Sequence, residues 1–351
     1  MKKIIHLICA ARPNFMKIAP LYHVLKFEQW CDIQIIHTGQ HYDYKMSQAF
    51  FDDFELPKPH WHLGVGSGSH AEQVAQTMVA YEKLCLEKSK PDLVIVVGDV
   101  NATSACTIAA KKIHLKVAHL EAGLRSGDIA MPEEINRLLT DAICDYYWTP
   151  STDADEHLLK EGVDSSKITR VGNIMIDTYC RMKHKIEASV VLEELQLQPQ
   201  EYAVVTIHRP SNVDNLSHLQ NILDVLGQID LPLIFPVHPR TKKTLSETKV
   251  PNNITLIDPQ NYISFMALVS NAQFVITDSG GIQEETTYLQ IPCFTLRDST
   301  ERPITITQGS NQLVTVENLL ETIKSPKEGT VPELWDGLTA ERVKNEIKRI
   351  I

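Results

Sequence analysis

Short β-branched and aliphatic runs alternate with segments of helical spacing along most of the chain, the signature of parallel βαβ units. Residues 4–10 read as a strand, and 14–27 follow as a helix with Met16, Ala19, Leu21 and Leu25 on one face. Residues 32–38 form the next strand and 42–51 a helix. The run 93–98 is apolar on both faces, as a central parallel strand must be. A helix over 102–112, a strand over 116–120 and a helix over 133–142 come next, and 146–149 and 168–171 are short closing strands. After a charged stretch at 181–201, which carries little beyond amphipathic helix, the cycle restarts. Strands are expected at 202–207, 233–237, 254–256, 274–277 and 293–296, with helices at 217–226, 264–270 and 281–289, and the tail 340–351 is helical.

Two doubly wound, Rossmann-like α/β domains facing a cleft account for this repetition, and a length of 351 residues fits two domains. The boundaries fall at 1–175 for the first domain and 176–335 for the second, with 336–351 a helix packing back on the first. Ligands in such sheets bind beyond the carboxyl ends of the strands, where most of the motifs below are found.

Lys and Arg total 34 against 44 Asp and Glu, a net charge of −10. An acidic chain repels duplex phosphate and anionic lipid, so neither nucleic acid nor a membrane is an expected partner. A cleft with a few converging cations still admits a small anion. No apolar run approaches the roughly 18 residues that cross a bilayer. The opening Met-Lys-Lys-Ile-Ile-His-Leu-Ile-Cys-Ala imitates a secretory signal but runs at once into Arg12 and Pro13, so it reads as the first strand. Seven scattered cysteines without a C-x-x-C pair point to free thiols in a reducing compartment. Fourteen histidines form no metal spacing, and His60 and His62 read as exposed loop residues. A cytoplasmic enzyme without metal is the expectation.

No G-x-G-x-x-G follows a strand and opens a helix, so a nicotinamide site is poorly supported. Gly64, Gly66 and Gly68 follow a Pro-rich segment and belong to a loop before a helix from Ala71. The turn Thr277-Asp-Ser-Gly-Gly-Ile is more informative. Ser279 can cap a helix there, and Gly280 and Gly281 let an anion approach bare N–H groups at the positive end of the helix dipole. Arg302, past a further strand end, can close on the same anion. His208 with Arg209, and His238, also stand just beyond strands, and Arg12 and Lys17 follow the first strand of the other half. Asp99, Glu121 and Glu133 lie at strand or helix ends. Each has an ordinary role available: Asp99 as a helix cap, Glu121 as a partner of Arg125 or Arg137, Glu133 as a dipole complement. Together, beside cations, they point to acid–base chemistry.

These residues resemble the non-hydrolysing UDP-N-acetylglucosamine 2-epimerases. The resemblance runs from the first strand to about Pro303. It rests on Ala11-Arg-Pro-Asn-Phe-Met-Lys17, His37-Thr-Gly-Gln-His-Tyr-Asp43, Val97-Gly-Asp99, His119-Leu-Glu-Ala-Gly-Leu-Arg-Ser-Gly127 and Met131-Pro-Glu-Glu-Ile-Asn-Arg137 in the first half. In the second it rests on Thr206-Ile-His-Arg-Pro210, Thr277-Asp-Ser-Gly-Gly-Ile-Gln-Glu-Glu285 and Thr300-Glu-Arg-Pro303. It implies a glycosyltransferase-B-like fold, a homodimer, and interconversion of UDP-GlcNAc and UDP-ManNAc without an added cofactor, feeding surface polysaccharide synthesis. Carried onto matching positions, it puts Arg12, His208, Gln260, Phe265, Ser279, Gly280, Gly281, Glu285 and Arg302 on the nucleotide sugar, and Arg137, Arg209 and His238 join them as candidate substrate contacts from their own positions. Phe265 would line the uracil site and Glu285 would hold the ribose, while Lys17, Asp99, Glu121, Glu133 and His208 would surround the reacting ring. Many members read Gly-Thr-Arg-Pro-Glu where this chain has Ala10-Ala11-Arg12-Pro13-Asn14. A second, activating UDP-GlcNAc binds some bacterial members near the segment matching Gln40 and His41, and Asp43 departs from the polar residue expected in that pocket.

The C2 proton of the sugar has no adjacent carbonyl. Eliminating UDP to a 2-acetamidoglucal and adding it back solves this with one base, one acid and cations on the leaving diphosphate. Which carboxylate is base and which acid stays open. Three other readings compete: a hydrolysing 2-epimerase releasing UDP and ManNAc, a UDP-sugar glycosyltransferase, and a non-catalytic nucleotide-sugar binder.

Overall fold

The structure, a computed structural model, describes residues 2–39, 51 and 53–351, the side chains of Arg12, Pro239 and Arg240 excepted. The helix expected over 42–51 lies outside the described residues. The chain divides into two compact units, Met1–Arg181 with Glu333–Ile351, and Met182–Pro332.

Unit 1 is built on a parallel sheet of seven strands: β1 (Lys3–Cys9), β2 (Cys31–His37), β3 (Trp61–His62), β4 (Leu93–Val97), β5 (Val117–Leu120), β6 (Tyr146–Thr149) and β7 (Ile168–Arg170). Their order is β3-β2-β1-β4-β5-β6-β7. β4 is buried at every position, which is why its five residues are all aliphatic. His60 and His62 are both exposed and His60 lies in a loop, as expected, but the expectation that His62 is a loop residue is corrected. Trp61 and His62 pair in parallel with Ile36 and His37, and the His60 ring accepts the Ile35 N–H at 3.0 Å. The packed helices are α1 (Arg12–Leu25), α2 (His70–Glu87), α3 (Asn101–Lys112), α4 (Pro132–Ile143), α5 (Thr152–Lys160) and α6 (Ile174–Glu187). α2 opens on a capping box, with the Glu72 N–H donating to Ser69 and the Ser69 N–H to Glu72.

Unit 2 repeats the plan with β8 (Ala203–Thr206), β9 (Leu233–Pro236), β10 (Ile254–Ile257), β11 (Val275–Thr277), β12 (Cys293–Leu296) and β13 (Asn311–Val314), in the order β10-β9-β8-β11-β12-β13. Its longer helices are α7 (Leu216–Leu226), α8 (Tyr262–Ser270) and α9 (Gly280–Leu289). Val205, Leu223, Phe235, Ile276 and Phe294 anchor its core.

The last helix, α10 (Thr339–Ile350), belongs to unit 1 and packs on α1. Buried Asp177 on α6 accepts the Thr339 and Ala340 N–H groups at 3.1 and 2.7 Å. Those are donors that a helix start leaves without intrahelical partners. All seven cysteines are free. Among the described residues no helix is long and apolar enough to cross a membrane.

Candidate active site

In each sheet the strand order reverses once, between β1 and β4 in unit 1 and between β8 and β11 in unit 2. Open α/β sheets bind ligands beside such points. In unit 1, Asn14 on the first turn of α1 ties the two strand ends together. Its Oδ1 accepts the N–H groups of Ala10 and Ala11 at 3.1 and 3.2 Å, and its Nδ2 donates to the Val97 carbonyl at 3.1 Å.

Lys17, one turn further along α1, forms a buried ion pair with Glu121. The pair fits because residue 98 is glycine. A Cβ there would lie 2.9 Å from Lys17 Nζ and 3.4 Å from Glu121 Oε2, and its φ of +63° is left-handed. Glu121 holds φ +70° itself, which costs a residue with a side chain roughly 1 kcal/mol or more and recurs at functional sites. Its Oε1 is buried without a hydrogen-bond partner among the described residues. A carboxylate with one oxygen fixed by Lys17 and the other bare is equipped to take or return a proton. Asp99, next to Gly98, accepts from Arg137 Nη1 at 2.5 Å and keeps a quarter of its side chain exposed.

Arg137 also donates from Nε and Nη2 to Glu134 Oε2 at 2.8 and 2.6 Å. Burial pushes the Glu134 carboxyl up, but the Ser126 N–H, Arg137 and the Gly127 N–H together outweigh it and hold it below the usual range. On the same face of α4, buried Asp141 accepts from His119 Nδ1 (2.6 Å), Arg125 Nη1 (2.7 Å) and the Gly123 N–H (3.0 Å). Its carboxyl is likewise pushed up by burial and held down by His119 and Arg125.

The expected trio of carboxylates therefore divides. Asp99 and Glu121 share the strand-end cluster, whereas the Glu133 side chain is exposed on the first turn of α4. The buried acid of that Glu-Glu pair is Glu134, because Pro132 starts the helix and residues 134, 137 and 141 then face inward. The ordinary partners considered for Glu121 are corrected too. Arg125 pairs with Asp141 and Glu161, Arg137 with Asp99 and Glu134, and Glu121 with Lys17. Nor does Asp99 cap a helix, since α3 takes Val100 at its N-cap.

In unit 2 the organising group is Asp278, fully buried at the end of β11. Its carboxylate accepts the backbone N–H groups of His208 (3.0 Å) and Arg209 (2.8 Å) and the Asn212 amide (3.0 Å), and lies 3.1 Å from His208 Nδ1. Arg209 Nε donates to the Asp278 carbonyl at 2.9 Å, and the His208 and His238 rings lie 5.5 Å apart. Ser279 occupies the N-cap position of α9, but its hydroxyl makes no capping bond, a correction to the expected cap. Gly281 is open on its Cβ side, whereas a Cβ on Gly280 would meet Glu301 Oε1 at 2.5 Å and Arg302 Nη1 at 2.8 Å. Gly280 thus makes room for that ion pair as well as for any anion at the helix start. Arg302 Nε lies 2.8 Å from Glu284 Oε2, and Glu301 also takes Arg297 Nη2 at 2.8 Å. Burial pushes the Glu301 carboxyl up, yet the two guanidinium groups win and hold it well below the usual range. Glu285 is buried and accepts the Tyr262 hydroxyl at 2.8 Å, joining α9 to α8. Half-buried Phe265 is on α8, and Gln260, just before it, donates to the Asp258 carbonyl at 2.8 Å. Gln40, His41 and Asp43 lie outside the described residues, as does the side chain of Arg12.

Sequence reasoning missed Asn14, His119, Glu134, Asp141 and Asp278 as parts of these clusters. The signals were present for three of them. Glu134 and Asp141 share a helical face with Arg137, and Asp278 is the acid directly after a buried strand.

Two doubly wound parallel sheets, each with buried charged groups gathered at its switch point, define an α/β protein of the doubly wound, ligand-binding class. Residues 23–348 match the family described as UDP-N-acetylglucosamine 2-epimerase, and the chain belongs to that family. It is 42% identical over 327 residues to the UDP-N-acetylglucosamine 2-epimerase of Methanocaldococcus jannaschii, covering 88% of this chain and 87% of the relative. It is 36% identical over 312 residues to the UDP-2,3-diacetamido-2,3-dideoxy-D-glucuronate 2-epimerase of Pseudomonas aeruginosa, covering 88% and 87%. The crystal structure of the Methanocaldococcus jannaschii UDP-GlcNAc 2-epimerase in complex with UDP-GlcNAc and UDP superposes with a TM-score of 0.89 at 38% identity, covering 99% of each chain. The galactosyltransferase WaaB shares the fold alone, at 15% identity and a TM-score of 0.59, which makes the architecture glycosyltransferase-B-like.

Proposed function

We propose that this chain interconverts UDP-GlcNAc and UDP-ManNAc by eliminating UDP across C1–C2 and adding it back to the opposite face, without hydrolysis. The observation that carries the reading is the buried Lys17–Glu121 pair with its bare carboxylate oxygen, beside the part-exposed Asp99, in a chain of this family. In this reading Asp99, Glu121 and the exposed Glu133 supply the base for C2–H and the acid that returns the proton. Lys17 and His208 complete the groups around the ring. Arg12, Arg209, His238, Arg302 and the α9 start at Ser279, Gly280 and Gly281 hold the diphosphate. Gln260 and Phe265 receive the uracil, and Glu285 the ribose. Arg137 holds the Asp99 carboxylate in place. No step requires a cofactor, and the product would supply surface polysaccharide synthesis in the cytoplasm.

A homodimer belongs to the same proposal. α4 is inverted: Glu134, Arg137 and Asp141 face the sheet, while Ile135, Leu139 and Ile143 form an exposed apolar row at i, i+4 and i+8. A second copy covering that row would steady the helix that carries Arg137. Light scattering on Leu139→Glu would then report monomers where the parent chain gives dimers.

An NMR time course with UDP-GlcNAc tests the activity. UDP-ManNAc should grow to a constant ratio with no free UDP. Accumulation of UDP and ManNAc would mark a hydrolysing enzyme, and an unchanged spectrum would reject the proposal for this substrate. A parallel run with the diacetamido uronate named by the Pseudomonas relative would set the preference among UDP-linked 2-acetamido sugars.

A further inference from the structure

We infer that Tyr262 is a positioning residue that makes the nucleotide site select ribose over deoxyribose, because its hydroxyl fixes the Glu285 carboxylate on which that selection depends. This role rests on Glu285 receiving the ribose, as proposed above. Both side chains are buried, and the Tyr262 hydroxyl donates to Glu285 Oε1 at 2.8 Å. A carboxylate offers about four acceptor positions, so the bond sets the plane of the group without exhausting it. A carboxylate held in this way meets a ligand hydroxyl already oriented, which raises affinity by lowering the cost of ordering on binding.

The helices place the pair where a nucleotide needs it. On α9, Glu285 comes four residues after Gly281, so the two are neighbours on one face, a turn apart. Gly281 is open on its Cβ side, and a nucleoside diphosphate with its phosphates at that helix start can extend its ribose towards Glu285. On α8, Tyr262 and Phe265 are three apart and again neighbours on one face. The bond from Tyr262 to Glu285 thereby joins the carboxylate proposed for the ribose to the helix proposed for the uracil.

Both helices have anchors that do not involve this hydroxyl. Asn261 caps α8 by accepting the Ser264 N–H at 2.8 Å, and the buried Tyr202 hydroxyl donates to the Leu268 carbonyl at 2.6 Å. On α9, Gln283 Oε1 accepts the Thr300 hydroxyl at 2.7 Å and the Asn311 amide at 3.0 Å. Glu284, beside Glu285, lies 2.8 Å from Arg302 Nε instead. Removing the phenolic oxygen should leave these anchors intact and loosen the Glu285 carboxylate.

The test is calorimetry on the full chain with UDP and with 2′,3′-dideoxy-UDP, before and after Tyr262→Phe. The unaltered protein should bind UDP about 100-fold more tightly, since the missing hydroxyls leave a buried acceptor unanswered. Tyr262→Phe should weaken UDP about tenfold and the dideoxy nucleotide by less than about twofold, whereas a purely structural role would weaken both alike. In a Glu285→Gln background, Tyr262→Phe should change the ratio of the two affinities by less than about twofold. Under turnover, Tyr262→Phe should raise KM for UDP-GlcNAc about tenfold with kcat within about twofold. An unchanged preference for UDP in Tyr262→Phe, or equal losses for the two nucleotides, overturns the role of Tyr262 alone. Equal affinities in the unaltered protein overturn it together with the placement of the ribose at Glu285. Failure of the unaltered protein to epimerise UDP-GlcNAc would instead sink the functional reading, while the calorimetric ratios still decide the role of Tyr262.

Discussion

Replacing Gly98 by alanine isolates the geometry on which the candidate site depends. The added Cβ brings two separable costs. The backbone at φ +63° disfavours alanine by about 1–2 kcal/mol. The Cβ would also stand 2.9 Å from Lys17 Nζ, forcing the ammonium away from a carboxylate that is only 2% exposed. Breaking a buried pair costs about 3–5 kcal/mol when one charge is left behind, although a small shift of the Lys17 tip recovers part of it. A total loss of about 2–5 kcal/mol is expected. Gly162 supplies the control, since its φ of +87° is equally left-handed but nothing lies within 4 Å of its Cβ position. Urea unfolding should show Gly162→Ala losing only the backbone part, near 1–2 kcal/mol, with turnover intact. Gly98→Ala should lose more stability and also drop kcat by roughly 100-fold, the penalty for misplacing a reacting group by about 1 Å. Equal losses in the two variants, or full turnover in Gly98→Ala, would refute the claim that this glycine exists to seat the Lys17–Glu121 pair.

Further outcomes follow from the same contacts. Glu121→Gln should lower kcat about 1,000-fold with KM nearly constant, because the amide keeps the shape but not the proton acceptor; a purely KM effect in steady-state kinetics would contradict its role. Asp278→Asn replaces one of two acceptor oxygens by a donor facing the His208 and Arg209 N–H groups, so calorimetry should show UDP binding weakened by about tenfold. His6 is wholly buried between the Tyr81 and Ser89 hydroxyls, and burial pushes it down from 6.5 to about 3. Its folded form favours the neutral ring. The stability it contributes is present above pH 6.5 and is lost as pH falls towards 3, by up to ~5 kcal/mol. Urea midpoints measured across that range should slope less steeply in His6→Gln.

Much of the fold was legible because period and polarity coincide with burial. The five aliphatic residues of β4 and the helical spacing along α1 left little choice of element or face. Edge elements were harder to read. Trp61–His62 is a two-residue strand after a Pro-rich segment, and β13 begins with Asn311, whose amide bonds Gln283 and Thr305. A strand that short carries no period. The site was legible as a set of strand-end residues but not as a set of pairs. Lys17 and Glu121 stand 104 residues apart, and only the adjacency of β1, β4 and β5 brings them together. α4 misled for a different reason: its inward face is charged and its outward face apolar, so the usual rule points to the wrong side. The inward place of Glu134 was therefore not legible from the apolar pattern.

The central claim is that acidic groups of unit 1 remove and restore the hydrogen at C2 while UDP departs and returns. Incubation with UDP-GlcNAc in D₂O, followed by mass spectrometry and proton NMR of the recovered nucleotide sugars, tests it most directly. The account predicts one deuterium at C2 of UDP-ManNAc from the first turnovers, and its later appearance at C2 of UDP-GlcNAc. UDP-ManNAc formed in D₂O with protium retained at C2 would contradict it.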